Sequence, residues 1–363
     1  MSESPTSPAE THAEPEAICE IRGAAGVITL NRPKALNAVT LGMVRAIRTA
    51  LDAWAQNPAV TRVVIRGAGE KAFSAGGDIR QLYDLGRAGR QDEALVFWRE
   101  EYVLNGLIHA YPKPYVALID GIVMGGGVGV SLHGSHRVAG DRYLFAMPEV
   151  GIGFFPDVGA TYALPRLPGE AGTWLALTGA RVRTADALTL GLATHAAPSA
   201  AFPAILDELA AGKPVDDVLA AHARAPGEAP VSAIQDDIDR CFVGASVGEI
   251  LDRLDGAAAA GSEFAADAAA VIRSKSPTSL AVALEQMRRG RTLSFVDAMR
   301  TEYRIVSRMV DTPDFYEGVR AAVIDKDQSP NWSPAALAQV DDARVAGYFA
   351  SLEPELDMPG AAS

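Results

Sequence analysis

The chain predicts an α/β fold followed by a helical C-terminal region. Three observations carry this. Short apolar runs of strand length alternate with stretches of helical period through the first 200 residues. Two of those runs open directly into glycine-rich loops. Beyond about Ala200 strand signals vanish, and helical segments with helix-start punctuation take over.

The elements follow in order. Residues 1–16, rich in Ser, Pro, Glu and Ala, are expected to form a disordered tail. Val27 to Leu30 reads as a strand stopped by Asn31-Arg32-Pro33. Thr40 is placed to cap a helix carrying Met43, Ile47, Leu51 and Trp54 on one face. Val63 to Ile65 is a second strand, and it runs into the small-residue loop from Phe73 to Asp78. A helical stretch covers Ala94 to Leu107. The pattern then repeats, with a strand at Tyr115 to Ile119 and a glycine-rich turn from Gly121 to Gly129 that leads into a helix. His136 to Ala139 and Tyr143 to Ala146 are further short strands. Ser276-Pro277 and Thr312-Pro313 each place a capping hydroxyl before a proline suited to the first helical position. The expected organisation is a core at 17–200, a helical region at 201–350 and a flexible tail at 351–363.

Composition narrows the function. Of 363 residues, 48% are hydrophobic and 21% charged, which is globular rather than disordered. A formal charge of −12 repels phosphate backbones and anionic lipid, so neither nucleic acid nor a membrane surface is an expected partner. An anionic small ligand in a local pocket stays open. Cys19 and Cys241 form no CxxC pair, which fits a reducing compartment. No Lys or Arg precedes Arg22, and no apolar run approaches the roughly 18 residues of a membrane span. The expectation is a cytoplasmic protein.

Several motifs fail on inspection. Gly125 to Gly129 lacks the third glycine of a dinucleotide fingerprint, because Val130 and Leu132 stand at the positions tested. Gly244-Ala-Ser246-Val-Gly248 matches a nucleophile elbow but follows a polar helical stretch. Ser246 with Glu249 reads instead as a capping box. His12, His109, His133, His136, His195 and His222 show no metal-ligand spacing.

Chemistry concentrates elsewhere. Ser74-Ala75-Gly76-Gly77-Asp78 and Met124-Gly125-Gly126-Gly127 each follow an apolar strand. Glycine lets a backbone N–H approach a ligand closely, and two such groups from separate loops can hold a carbonyl oxygen as it becomes an oxyanion. Taken singly, each loop reads equally as a tight packing turn. A third segment, Met147 to Gly159, sets Glu149 and Asp157 eight residues apart within an apolar run. A carboxylate buried there needs a partner or an altered pKa, which makes it an acid–base or nucleophile candidate. The alternative is a helix-cap Asp and a solvent-facing Glu.

Together these segments resemble the crotonase (enoyl-CoA hydratase/isomerase) superfamily, and most closely its 3-hydroxyisobutyryl-CoA hydrolase branch. The resemblance rests on ITLNRPKALNAVT (28–40), KAFSAGGDIR (71–80), REEYVLN (99–105), KPYVALIDGIVMGGGVGVSLHG (113–134), LFAMPEVGIGFFPDVGATYALPRL (144–167), LALTGAR (175–181) and DFYEGVRAAVIDKDQSPNW (314–332). It implies a crotonase-like spiral of ββα units and an acyl-CoA thioester substrate whose carbonyl is held by the N–H groups of Gly77 and Gly126. Glu149 and Asp157 match the branch's two functional carboxylates, and Glu101 matches a substrate-binding residue, though it reads equally as a helix-surface charge. Lys34, Ala35, Leu36, Ser74, Ala75, Asp78, Ile79 and, further out, Arg80 are implied contacts to CoA. Hydratases of the superfamily carry a glutamate in a GGGxE pattern, whereas this chain has Gly129 there. The resemblance therefore implies thioester hydrolysis in valine breakdown, with no cofactor beyond the CoA of the substrate. Hydration or isomerisation, and a non-catalytic acyl-CoA-binding role, are the competing readings. Members are often trimers or dimers of trimers, which implies a homo-oligomer whose stoichiometry the enlarged helical part leaves open.

Overall fold

The computed structural model describes residues 14–358. Its strands are β1 (Ala17–Arg22), β2 (Ala25–Leu30), β3 (Arg62–Gly67), β4 (Ala72–Ser74), β5 (Tyr115–Ile119), β6 (Ile122–Met124), β7 (His136–Ala139), β8 (Leu144–Ala146) and β9 (His195–Ala196). They sort into two sheets. The larger has the order β1-β2-β3-β5-β7-β9, and the smaller β4-β6-β8. β1 pairs antiparallel with β2, while every other pairing is parallel. The chain alternates between them: β3 hands on to β4, β5 to β6 and β7 to β8. This is the expected spiral of ββα units.

Burial explains the strands. β2 is buried along its whole length, and Tyr115 to Ile119 of β5 likewise, as parallel strands covered on both faces should be. Helix α1 (Leu41–Gln56) starts where Thr40 accepts the Met43 N–H, and it buries Met43, Ile47, Leu51 and Trp54 as its period requires. Helix α2 (Ile79–Arg87), absent from the sequence reading, is capped by Asp78, whose carboxylate accepts the Gln81 N–H. Helix α3 (Gln91–His109) is longer than expected and lays Trp98, Glu101, Tyr102 and Asn105 against the core. β1, the two-residue β9, and β4 and β6, which the sequence reading placed in a loop and a glycine-rich turn, also escaped it. β1 buries only Ala17 of its six residues at a sheet edge, and β9 is too short to show a period.

After Ala196 every described element is helical. Ser276 caps the helix Pro277–Gly290, and Ser246 caps Val247–Ala259 by accepting the Glu249 N–H, which removes the nucleophile-elbow reading. Thr312 precedes Pro313–Val319 but makes no capping bond, because its hydroxyl donates back to the Met309 carbonyl. Both expected tails need correction. Residues 1–13 and 359–363 lie outside the described residues. Pro15 and Glu16, however, are pinned: Asn31 reaches both backbone carbonyls, and Thr40 donates to the Glu16 carboxylate at 2.6 Å. At the other end Leu356 and Met358 are buried, and Arg304 pairs with Glu355 at 2.7 Å. Apolar side chains at 356 and 358 find the back of α3, so the stretch 351–358 packs instead of fraying. No helix among the described residues is long and apolar enough to cross a membrane.

Candidate active site

The loops that leave the C-terminal ends of β4, β6 and β8 converge on one cavity of about 110 Å³. Ala75, Gly76 and Gly77 line it from the first loop, Gly125 and Gly126 from the second, and Glu149 and Asp157 from the third. A parallel sheet delivers all its strand ends to one edge, which is where α/β folds place ligands.

The two glycine loops approach so closely that side chains have no room. A Cβ on Gly126 would lie 3.2 Å from the Gly77 nitrogen and 2.6 Å from Glu101 Oε1. Gly125 takes φ 44° and Gly76 φ 119°, conformations that suit glycine. The backbone of the first loop is tied down by Val39, whose N–H goes to the Gly76 carbonyl at 2.8 Å and whose carbonyl takes the Asp78 N–H at 2.9 Å. No acceptor among the described residues takes the N–H of Gly77 or of Gly126. Two free donors thus share the cavity.

Carboxylates crowd the same space. Glu149 begins a tight helical turn (Glu149–Ile152) after Pro148 and is 6% exposed, with no hydrogen-bond partner for Oε2 among the described residues. Its Oε1 lies 3.3 Å from where a Cβ on Gly125 would stand. Asp157 is equally buried and accepts a 2.8 Å hydrogen bond from the Tyr102 hydroxyl. Glu101 is 1% exposed, and its Oε1 has no hydrogen-bond partner among the described residues. None of the three has a cationic partner among the described residues. Burial therefore raises all three pKa values. It pushes Asp157 up to about 7, and it holds Glu149 and Glu101 well above the usual carboxylate range, where the Asp157 charge raises both further. Phe97, Trp98, Phe154 and Leu82 wall the cavity, with the Trp98 and Phe154 rings stacked at 5.6 Å. Oxyanion donors, unpaired carboxylic groups and an apolar wall suit chemistry at the carbonyl of a short acyl chain.

Other expected positions fall outside the cavity. Ile79 and Ala75 line it, but Ser74 is buried beneath with its hydroxyl on the Gly76 N–H, and Asp78 is engaged by Arg32 at 2.9 Å while capping α2. Lys34, Ala35 and Leu36 form a short turn joined to the first loop where the Leu36 carbonyl takes the Ala75 N–H at 3.0 Å, and they do not line the cavity. Arg80 donates to the Val323 carbonyl outside it.

Gly129 stands where the sequence reading looked for a second glutamate. A Cβ there would meet Asn105 Nδ2 and the Val158 Cβ, each at 2.8 Å, so no larger side chain fits. Both ends of the Asn105 amide are buried without a hydrogen-bond partner among the described residues. Val158 presses on Gly129 because it adopts φ 52°, a left-handed conformation that costs a β-branched residue about 1–3 kcal/mol.

A family model described as Enoyl-CoA hydratase/isomerase matches residues 25–349. The chain belongs to that family. Among its relatives, the rat protein named "3-hydroxyisobutyryl-CoA hydrolase, mitochondrial" is 47% identical over 347 residues, covering 93% of this chain and 89% of the relative. The human protein of the same name is 45% identical over 352 residues, covering 94% and 90%. Among solved structures, a carnitinyl-CoA dehydratase from Mycobacterium thermoresistibile superposes with a TM-score of 0.90 at 43% identity, covering 95% of this chain and 99% of that one. An enoyl-CoA hydratase from Rhodobacter sphaeroides gives 0.89 at 42% identity, covering 94% and 100%. The family accounts for the ββα spiral and for acyl-CoA chemistry. The relatives named as mitochondrial contradict the cytoplasmic expectation.

Sequence reasoning missed Tyr102, Gln286 and Glu302. Each sits on the buried stripe of its helix. Glu302 interrupts the run Phe295, Met299, Val306, Met309, and a charged residue on an apolar stripe was the available signal.

Proposed function

We propose that the protein hydrolyses a short 3-hydroxyacyl-CoA thioester, 3-hydroxyisobutyryl-CoA foremost, to the free acid and CoA. The observation that carries this reading is the pairing of Glu149 and Asp157 across the Gly77–Gly126 donors while Asn105 and Val158 close the ground around Gly129. A second glutamate for adding water across a double bond has no place there. The names of the hydrolase relatives agree with it.

In this reading the thioester C=O lies between the N–H groups of Gly77 and Gly126, each worth about 3–4 kcal/mol to the developing oxyanion. Glu149, once ionised, follows one of two routes. It attacks the carbonyl carbon to give an acyl-enzyme anhydride as the C–S bond breaks, with water then cleaving the anhydride, or it takes a proton from a water that attacks instead. The CoA sulfur leaves as thiolate on either route. Asp157, whose carboxyl burial lifts to about 7, gives its own proton to the departing thiolate and is reprotonated from solvent, or binds the 3-hydroxyl. Glu101 contacts the acyl group from α3. The route needs no cofactor beyond the substrate's own CoA. A methyl more or less on the acyl chain changes selectivity by only about 1–3 kcal/mol, so 3-hydroxypropionyl-CoA is an expected slower or comparable substrate.

The test offers 3-hydroxyisobutyryl-CoA and crotonyl-CoA separately, following thiol release and loss of the enoyl absorbance. Thiol release from the first without hydration of the second is expected, and Glu149→Gln should abolish it. Hydration of crotonyl-CoA without thiol release would overturn the reading in favour of a hydratase. A single turnover in labelled water separates the two routes, because only nucleophilic attack places label in the Glu149 carboxylate.

A further inference from the structure

Asp157 is gripped by side chains that never touch the cavity. The Pro156 carbonyl accepts a hydrogen bond from Gln286 Nε2, which also donates to Thr161 Oγ1 at 2.7 Å. The Val158 carbonyl takes the His133 Nε2–H at 2.6 Å, and burial keeps that imidazole neutral. Glu302 then uses both oxygens: Oε2 accepts the Gly159 N–H at 2.8 Å and Oε1 the Thr161 N–H at 2.9 Å. The peptides before Asp157 and after Val158 are thereby held from outside, the Asp157 carbonyl takes the Ala160 N–H at 2.9 Å, and between them stands Val158 at φ 52°. A β-branched residue stays in the left-handed region only where its surroundings over-determine it.

Glu302 is the strongest of these holds. It is fully buried on the helix Phe295–Met309, has no cationic partner among the described residues, and does not line the cavity. Burying a carboxylate without a cation is costly, and the two backbone N–H groups, with the Thr161 side chain beside them, are what offset it. We propose that Glu302 is a positioning residue for Asp157, holding the left-handed turn at Val158 that aims the Asp157 carboxyl at the bound acyl thioester. Without it Val158 relaxes to negative φ and swings Asp157 off its line. The proposal rests on the reading of Asp157 as a working group in thioester hydrolysis.

The test is a double-mutant cycle on steady-state thiol release from 3-hydroxyisobutyryl-CoA, with Asp157→Asn, Glu302→Gln and the two combined. Gln keeps the shape and one acceptor, so the variant folds if any does, and circular dichroism checks this. Glu302→Gln is expected to lower kcat about tenfold with KM changed less than threefold, because the Gly77 and Gly126 donors are untouched. In the Asp157→Asn background the same change should cost less than twofold, since Glu302 acts only through Asp157. Multiplicative losses would overturn the proposal, as would a Glu302→Gln protein at wild-type kcat while Asp157→Asn is impaired. An Asp157→Asn enzyme at full rate would instead sink the underlying role of Asp157, and the proposal with it.

Discussion

Replacing Asp157 by Asn should make the protein more stable, and increasingly so as pH rises. Burial lifts the Asp157 carboxyl from 3.8 to about 7, so the folded chain keeps a proton there that the unfolded chain releases. Below the unfolded value both states are protonated and the residue costs nothing. Between the two values each pH unit removes about 1.4 kcal/mol of stability, and above the folded value the loss levels off. Three units amount to about 4 kcal/mol at pH 8, against about 2 kcal/mol at pH 5. Asn has the shape of the acid, cannot ionise, and still accepts the Tyr102 hydroxyl bond. Removing the charge also relieves Glu149, Glu101 and Glu302, each of which Asp157 pushes upward, so these neighbours add in the same direction. Urea unfolding of both proteins at pH 5 and pH 8 should show a gain for the variant that is larger by about 2–3 kcal/mol at the higher pH. An equal gain at both, or a loss at pH 8, refutes the argument that the site stores electrostatic strain.

Other outcomes follow from the same geometry. Gly126→Ala sets a methyl 2.6 Å from Glu101 Oε1 and 3.2 Å from the Gly77 nitrogen, and should lower kcat about 10²–10³-fold while circular dichroism stays native. Gly129→Glu should leave crotonyl-CoA unhydrated and depress Tm, because its Cβ meets Asn105 and Val158 at 2.8 Å and such overpacking costs about 1–3 kcal/mol. The pH profile of kcat/KM should rise with an acid limb well above the ordinary carboxylate range, since burial first and Asp157 second resist ionisation of Glu149. A plateau already reached at pH 5 contradicts that. Asp157→Asn should carry the limb to lower pH in whatever activity remains.

Much of the fold was legible because its signals are local. Tyr115 to Ile119 and His136 to Ala139 are strands to the residue, and Thr40, Ser246 and Ser276 cap helices as hydroxyls before helical runs should. The convergence of Gly77, Gly126, Glu149 and Asp157 was reachable through the quoted motifs, and the cavity contains all four. What stayed hidden depends on distance in the chain. Asp78 looked like a ligand contact but spends its carboxylate on Arg32 and on α2. Nothing near Asp157 announces Gln286 or Glu302, which reach it from 130 and about 145 residues away. The last stretch looked loose by composition, yet Met358 seats its methyl where a Cβ on Gly106 would come within 2.4 Å.

β4 and β6 are adjacent parallel strands of three residues each, and the donor loops leave their neighbouring ends. Neighbouring strands stand about 4.8 Å apart, close to the span of two N–H groups that each reach one oxygen from about 2.9 Å. In the proposed reading the grip on the thioester oxygen is thus a by-product of backbone spacing, available to any sequence that builds this small sheet with glycine at its rim. What is then done to the activated carbonyl is left to the side chains that β8 sends across. Rewriting that one loop would change the chemistry while leaving the backbone donors where they are.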